Sequence, residues 1–137
     1  MTVYTIAWGV DDDDPSGQRT IQVESPDEAD AALDQVAAEG PALVVVHEGL
    51  WAEGDPPPPL GMQIVWGHPE RALLTWLGPG AGRAVDENIP PWPEPIGYDQ
   101  GEAMPDRTRI TAGQVREAVR EYVRTGSRPA NVTWVST

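Results

Sequence analysis

The sequence contains no cysteine, no lysine and no phenylalanine, and it has only two histidines. Without cysteine there is no disulfide framework, no thiolate metal site and no thiol nucleophile. Without lysine as well, the nucleophiles left are serines and threonines, and none of them sits in a G-x-S-x-G setting. Basic charge is scarce: nine arginines stand against 22 acidic residues, for a net charge of −13. That balance argues against a nucleic-acid-binding surface, which needs clustered cations to neutralise phosphates. Long apolar runs are missing too. The longest, Ala42 to Val46, is far below the roughly 20 residues that span a bilayer. Met1 to Trp8 shows no basic stretch leading into an apolar one, so no secretory signal and no membrane partner are expected, and the expected location is the cytoplasm.

What is present fits one domain over residues 1–137. A chain of this size buries on the order of 70% of its unfolded surface, enough for a real core without disulfides. The charge is unevenly spread. Residues 1–60 hold thirteen acidic side chains and one arginine, and residues 61–106 hold seven and two. Residues 107–137 reverse the balance, with two acidic residues and six arginines. Two readings stay open. The basic end packs beside the acidic part and offsets it, or an acidic surface stays uncovered and meets a basic partner.

Val3 to Trp8 alternates, with Tyr4, Ile6 and Trp8 on one face, and Arg19 to Val23 is short and β-branched. These segments predict a hairpin with Asp11–Asp14 in the loop at its tip. Ser25-Pro26-Asp27-Glu28 is a helix start with a capping serine, proline at the first helical position and glutamate closing the capping box. Ala29, Ala32, Leu33, Val36 and Ala37 keep helical spacing until Gly40-Pro41. Ala42 to Val46 reads as a central strand. Glu48 to Pro59, with four consecutive prolines, reads as a loop. Leu60–Trp66 and Arg71–Leu77 predict a second hairpin around Gly67–Glu70. Gly78 to Pro105 lacks periodicity apart from a short strand at Ile96–Tyr98, and a loop of that length is functional or disordered. Thr111 and Gln114 open a second capping box. Val115, Ala118, Val119, Tyr122 and Val123 form its apolar stripe, Arg116, Arg120 and Arg124 its basic face, and Gly126 its stop. A last strand covers Asn131–Val135. The fold class expected is α+β, an antiparallel or mixed sheet packed by two helices.

Catalytic and metal templates fit poorly. Gly78 to Gly82 is rich in glycine, but no helix opens after it, so it reads as a turn rather than a phosphate loop. Counted from Asp11, a calcium loop would need glycine and glutamate where Ser16 and Gln22 stand. His47 and His68 lack a helical metal-binding partner and read as structural. No cofactor and no metal are expected. Trp8, Trp66, Trp76 and Trp134 lie in predicted strands and read as core in place of the missing phenylalanines. Trp51 and Trp92 lie in Pro/Gly-rich loops beside Glu53, Asp55 and Glu94. They are either anchors of a binding surface or pins that hold their loops to the core.

The end of the chain has a recognisable order: Ala118-x-x-x-Tyr122-x-x-x-Gly126, then Arg128-Pro129, then Val132-x-Trp134. It follows a loop with Gly101-x-x-Met104-Pro105, an early helix carrying Leu33 and a central apolar strand. Together these resemble the first family of immunity proteins from bacterial polymorphic toxin systems. The resemblance implies a cytoplasmic α+β protein, not an enzyme, that binds and neutralises a cognate toxin, often one with a deaminase domain. The expected contact set is Asp11, Asp12, Asp13, Asp14, Trp51, Glu53, Asp55, Trp92 and Glu94. An acidic surface would match the basic cleft of a toxin that handles nucleic acid or nucleotides. The competing readings are another acidic binding module, such as a secretion chaperone or nucleic-acid mimic, and a small enzyme or ligand-binding protein with a cleft under the 78–105 loop. The basic face of the last helix leaves self-association open.

Overall fold

In the computed structural model, which describes residues 2–9, 18–50 and 61–136, the elements follow the pattern of apolar residues closely. They are β1 (Tyr4–Trp8), β2 (Arg19–Val23), α1 (Pro26–Glu39), β3 (Ala42–Glu48), β4 (Met62–Trp66), β5 (Leu73–Trp76), β6 (Gly82–Val85), β7 (Ile96–Tyr98), β8 (Gly101–Ala103), a 3-10 turn at Pro105–Arg107, α2 (Ala112–Thr125) and β9 (Thr133–Val135). Among the described residues, seven strands form one sheet in the order β2-β1-β3-β4-β5-β6-β9, and β7 and β8 form a separate hairpin. Every neighbouring pair is antiparallel. The fold is a single α+β unit, as the order of elements predicts.

The register puts alternate residues of each strand on one face. Ile6, Val44, Val46, Met62, Ile64 and Leu74 are fully buried there against Leu33 and Val36 of α1 and Val115 and Val119 of α2. Each such side chain stabilises by roughly 1.5–3 kcal/mol relative to exposure. Both helices begin as the sequence predicts. Ser25 Oγ accepts from Glu28 N–H, and Pro26 stands in the first turn. Thr111 and Gln114 form a complete capping box. The tryptophans of the strands are structural: Trp8, Trp66 and Trp76 are buried, and Trp134 is partly buried against the same core. Trp66 also donates its indole N–H to the Leu33 carbonyl of α1 at 2.9 Å.

The terminal motif is a clamp. Gly126 closes α2 in the left-handed conformation, with φ 74°, which glycine adopts without steric cost. Arg128 donates to the Gly80 carbonyl at 2.8 Å and stacks over Trp134. Trp134 in turn donates to the Pro129 carbonyl at 2.8 Å. Helix stop, turn and last strand are thereby tied to the start of β6.

Gly78 to Pro105 is more structured than its sequence suggests. It contains β6 and the β7–β8 hairpin as well as turns. β6 reads Gly-Arg-Ala-Val, a composition with little intrinsic β preference. It is a strand because β5 and β9 flank it. A side chain at Gly82 would meet the Val135 carbonyl at 2.5 Å, so the close approach of β9 selects glycine. β8 reads Gly-Glu-Ala and exists through its pairing with β7.

The sheet has two ends. At one lie Trp8, Arg19, Ala42, Trp66 and the turn after β4. At the other lie Tyr4, Val23, Glu48, Met62 and Trp76. The start of α2 belongs to the Trp8 end, because Ala112 N–H donates to the Glu70 carbonyl and Thr111 bridges Arg71. So does the β7–β8 hairpin, whose Asp99 bonds the Pro41 carbonyl through its N–H and the Leu43 N–H through its carboxylate.

Candidate partner-binding surface

Between β6 and β7 the chain runs along the Trp8 end and is held there by arginine. Arg109 donates to the Ile89 carbonyl at 2.8 Å and to the Glu87 carbonyl at 3.1 Å. Arg71 donates to the Pro90 carbonyl at 2.7 Å and the Thr108 carbonyl at 3.0 Å. The planar fork of arginine suits this two-point grip on backbone, which a lysine would not reproduce. Arg71 also lies over the Trp92 ring, 5.0 Å from its centroid, and His68 meets that ring edge-on at 4.9 Å. His68 Nδ1 accepts from the N–H groups of Glu70 and Arg71. The imidazole therefore shapes the β4–β5 turn and buttresses Trp92, which is a structural role.

At the root of this segment stands Asp86. Its Oδ2 accepts from Gln114 Nε2 at 2.9 Å, and its Oδ1 accepts from Asn88 N–H at 2.9 Å. These two bonds, the Gln114 one first, hold its carboxyl below the usual carboxylate range, and Arg109 adds to the effect. Gln114 thus serves twice. Its oxygen closes the capping box of α2, and its amide nitrogen fixes Asp86.

The basic face of α2 has a different use. Arg116 pairs with Asp30 and Asp34, and Arg120 pairs with Asp27 and Asp30, all on α1. Three of the five acidic residues of α1 are therefore offset by α2. Arg116 further lies over Trp66, 5.3 Å from the ring centroid. On the 86–106 segment the pattern reverses. Glu87, Glu94, Glu102 and Asp106 are exposed. They form no ion pair among the described residues.

A family model described as Immunity protein Imm1 matches residues 17–136. The chain belongs to this immunity-protein family. No curated protein matches the chain. Family membership gives the coarse role: an immunity protein binds a cognate toxin protein and acts as a non-enzymatic inhibitor. No described helix is long and apolar enough to cross a membrane.

The contact residues expected of this immunity protein fall into three groups. Trp92 and Glu94 share one loop at the Trp8 end, with Trp92 half-buried on His68 and Arg71 and Glu94 exposed. Trp92 is therefore pinned and still partly presented to solvent. Asp11, Asp12, Asp13 and Asp14 lie outside the described residues. The strand positions that flank them, Trp8 and Arg19, are at this same end. Trp51, Glu53 and Asp55 also lie outside the described residues. Their flanking strands, β3 and β4, meet at the opposite end through Val46 and Met62. Sequence reasoning missed Arg71, Arg109 and Asp86, and saw Gln114 only as a helix cap; together these give the surface its shape. Their partners are 19 to 37 residues away, and nothing in local periodicity marks an arginine that binds distant carbonyls.

Proposed function

We propose that this immunity protein neutralises a toxin domain of the deaminase type by covering its active-site cleft with the acidic Trp8 end of its sheet. The observation that carries this reading is the way arginine is used at that end. Arg71 and Arg109 bind backbone carbonyls, so Glu87, Glu94 and Glu102 are left without an ion-pair partner among the described residues. Such a surface speeds encounter with a basic cleft and fixes its orientation. Trp92 supplies a rigid aromatic anchor beside the charges. Asp11–Asp14, in the sequence between β1 and β2, belong to the same proposed contact set. Trp51, Glu53 and Asp55 are proposed as a second contact.

The test is co-expression with the cognate toxin domain, sought first in the product of the neighbouring gene, followed by titration of the purified proteins. Wild type restores growth and binds. Trp92→Ala together with Glu94→Gln weakens binding by about 10- to 100-fold. Replacing Asp11–Asp14 with asparagine slows association, most at low salt. Full affinity in both variants would show that the toxin sits elsewhere. A wild-type protein that neither rescues nor binds would remove the toxin pairing itself.

A further inference from the structure

Beside the first turn of α2 a cleft of about 340 Å³ opens between the end of β6, the start of α2 and the start of β9. Its walls combine two chemistries. Val85, Ile110 and Val132 are aliphatic, whereas Asp86, Glu87 and Asn131 bring oxygen acceptors. No arginine lines it. Arg109, the nearest in sequence, turns its guanidinium to the Glu87 and Ile89 carbonyls instead. Asp86 is held rigidly by Gln114 and Asn88. Each of its oxygens accepts one neutral N–H there, and a carboxylate oxygen has room for a second. Asn131 gives its amide N–H to the Gln114 carbonyl at 3.1 Å. An aliphatic wall ending in a fixed carboxylate is complementary to the side chain of arginine or lysine, which lays its methylene stem on apolar surface and keeps its charge at the tip.

We infer that this cleft receives a basic side chain of the bound toxin, with its stem on Val85, Ile110 and Val132 and its cationic head on Asp86. The inference rests on the toxin-binding reading above and adds a position and a chemistry to it. The cleft lies at the same end of the sheet as Trp92, on the segment that Arg109 ties down. A pre-organised carboxylate of this kind gives more affinity than a mobile surface glutamate, because little side-chain freedom is lost on binding.

The experiment uses the full chain and the cognate toxin domain identified by the co-expression test above, with affinity measured by calorimetric titration and folding checked by thermal melting. Asp86→Asn removes the charge and is expected to weaken binding about 10- to 100-fold. Because Asp86 also braces the start of α2, a second variant leaves that bond intact. Thr133→Arg places a cation at the exposed rim of the cleft, and it should weaken binding by a similar factor with an unchanged melting temperature. Glu24→Gln makes the same charge change in the groove beside Val123 and Thr125, at the other end of α2, roughly 20 Å away at the 1.5 Å rise of a helix. Its binding should match wild type. Unchanged affinity in Thr133→Arg overturns the cleft assignment while the immunity reading stands. A wild-type protein with no affinity for the toxin domain overturns both.

Discussion

The α1–α2 seam and the 86–106 segment both carry several carboxylates, yet they treat them in opposite ways. In the seam, Asp27, Asp30 and Asp34 face Arg116 and Arg120 across two packed helices. On the 86–106 segment, the arginines within reach bind carbonyls and the glutamates are left to solvent. The net charge of −13 therefore says little about where negative potential is felt. The N-terminal half is the more acidic in sequence, but four of the five acids on its helix are ion-paired within the fold. The exposed negative charge among the described residues concentrates on a loop segment of intermediate composition. Paired charge lies between two packed helices in the seam, and unpaired charge faces solvent on the segment.

The largest expected difference between the two regions is in their tryptophans. Trp66 lies under the seam, buried and bonded to Leu33, whereas Trp92 rests half-buried on the loop. Trp66→Ala should cost about 3–5 kcal/mol in urea unfolding. Trp92→Ala should cost about 1 kcal/mol, the value of a ring held by an arginine and an imidazole. Equal losses in the two variants would break the comparison, since Trp92 would then be core rather than a presented anchor.

A smaller effect separates the carboxylates. Asp30 is the hub of the seam, meeting both Arg116 and Arg120 with 29% of its side chain exposed. Asp30→Ala should destabilise by about 1 kcal/mol, above the value of a single exposed pair because two cations lose their partner. At this chain length that is a fall of roughly 3–6 °C in Tm. Glu102→Ala on the hairpin should stay within about 0.5 kcal/mol of wild type. Added salt should shrink the Asp30 effect through screening. An Asp30→Ala variant as stable as wild type would mean that the seam holds by apolar packing alone.

The fold was legible where one period or one cap dominates. Both helices, their caps, the β1–β2 hairpin, the central strand and the motif from Gly126 to Trp134 follow from local patterns. β6 and β8 were not, because Gly, Ala, Arg and Glu become strand residues only when neighbours supply the ladder. The proposed surface can be read in the sequence by residue type but not by construction. Trp92 and Glu94 stand out as an aromatic and an acid in a loop. The grip of Arg71 and Arg109, the double use of Gln114 and the fixed Asp86 depend on contacts far apart in sequence. The basic face of α2 was visible as a pattern, but its partner was not. The acids it meets are spaced along another helix, and only the antiparallel packing of α1 on α2 brings them together.

The smallest expected effect concerns what fixes Asp86. Its carboxyl is held below the usual range chiefly by two neutral amides, so its stabilising contribution is complete above the ordinary carboxylate pKa of about 3.9 and is lost as pH falls through its lowered native value. The stability difference between wild type and Asp86→Asn should therefore be constant from neutral pH to about pH 5. It should narrow at lower pH, as protonation removes from wild type what the substitution has already removed. Because the main donors are uncharged, this acid-side difference should change little with salt, whereas the Asp30 difference should fall. Hydrogen exchange at the first turn of α2 gives the local readout, since Gln114 couples Asp86 to the helix start. A strong salt dependence of the Asp86 difference would mean that Arg109, rather than the amides, dominates its environment, and the contrast between an ion-paired seam and a carboxylate held by neutral donors would fail.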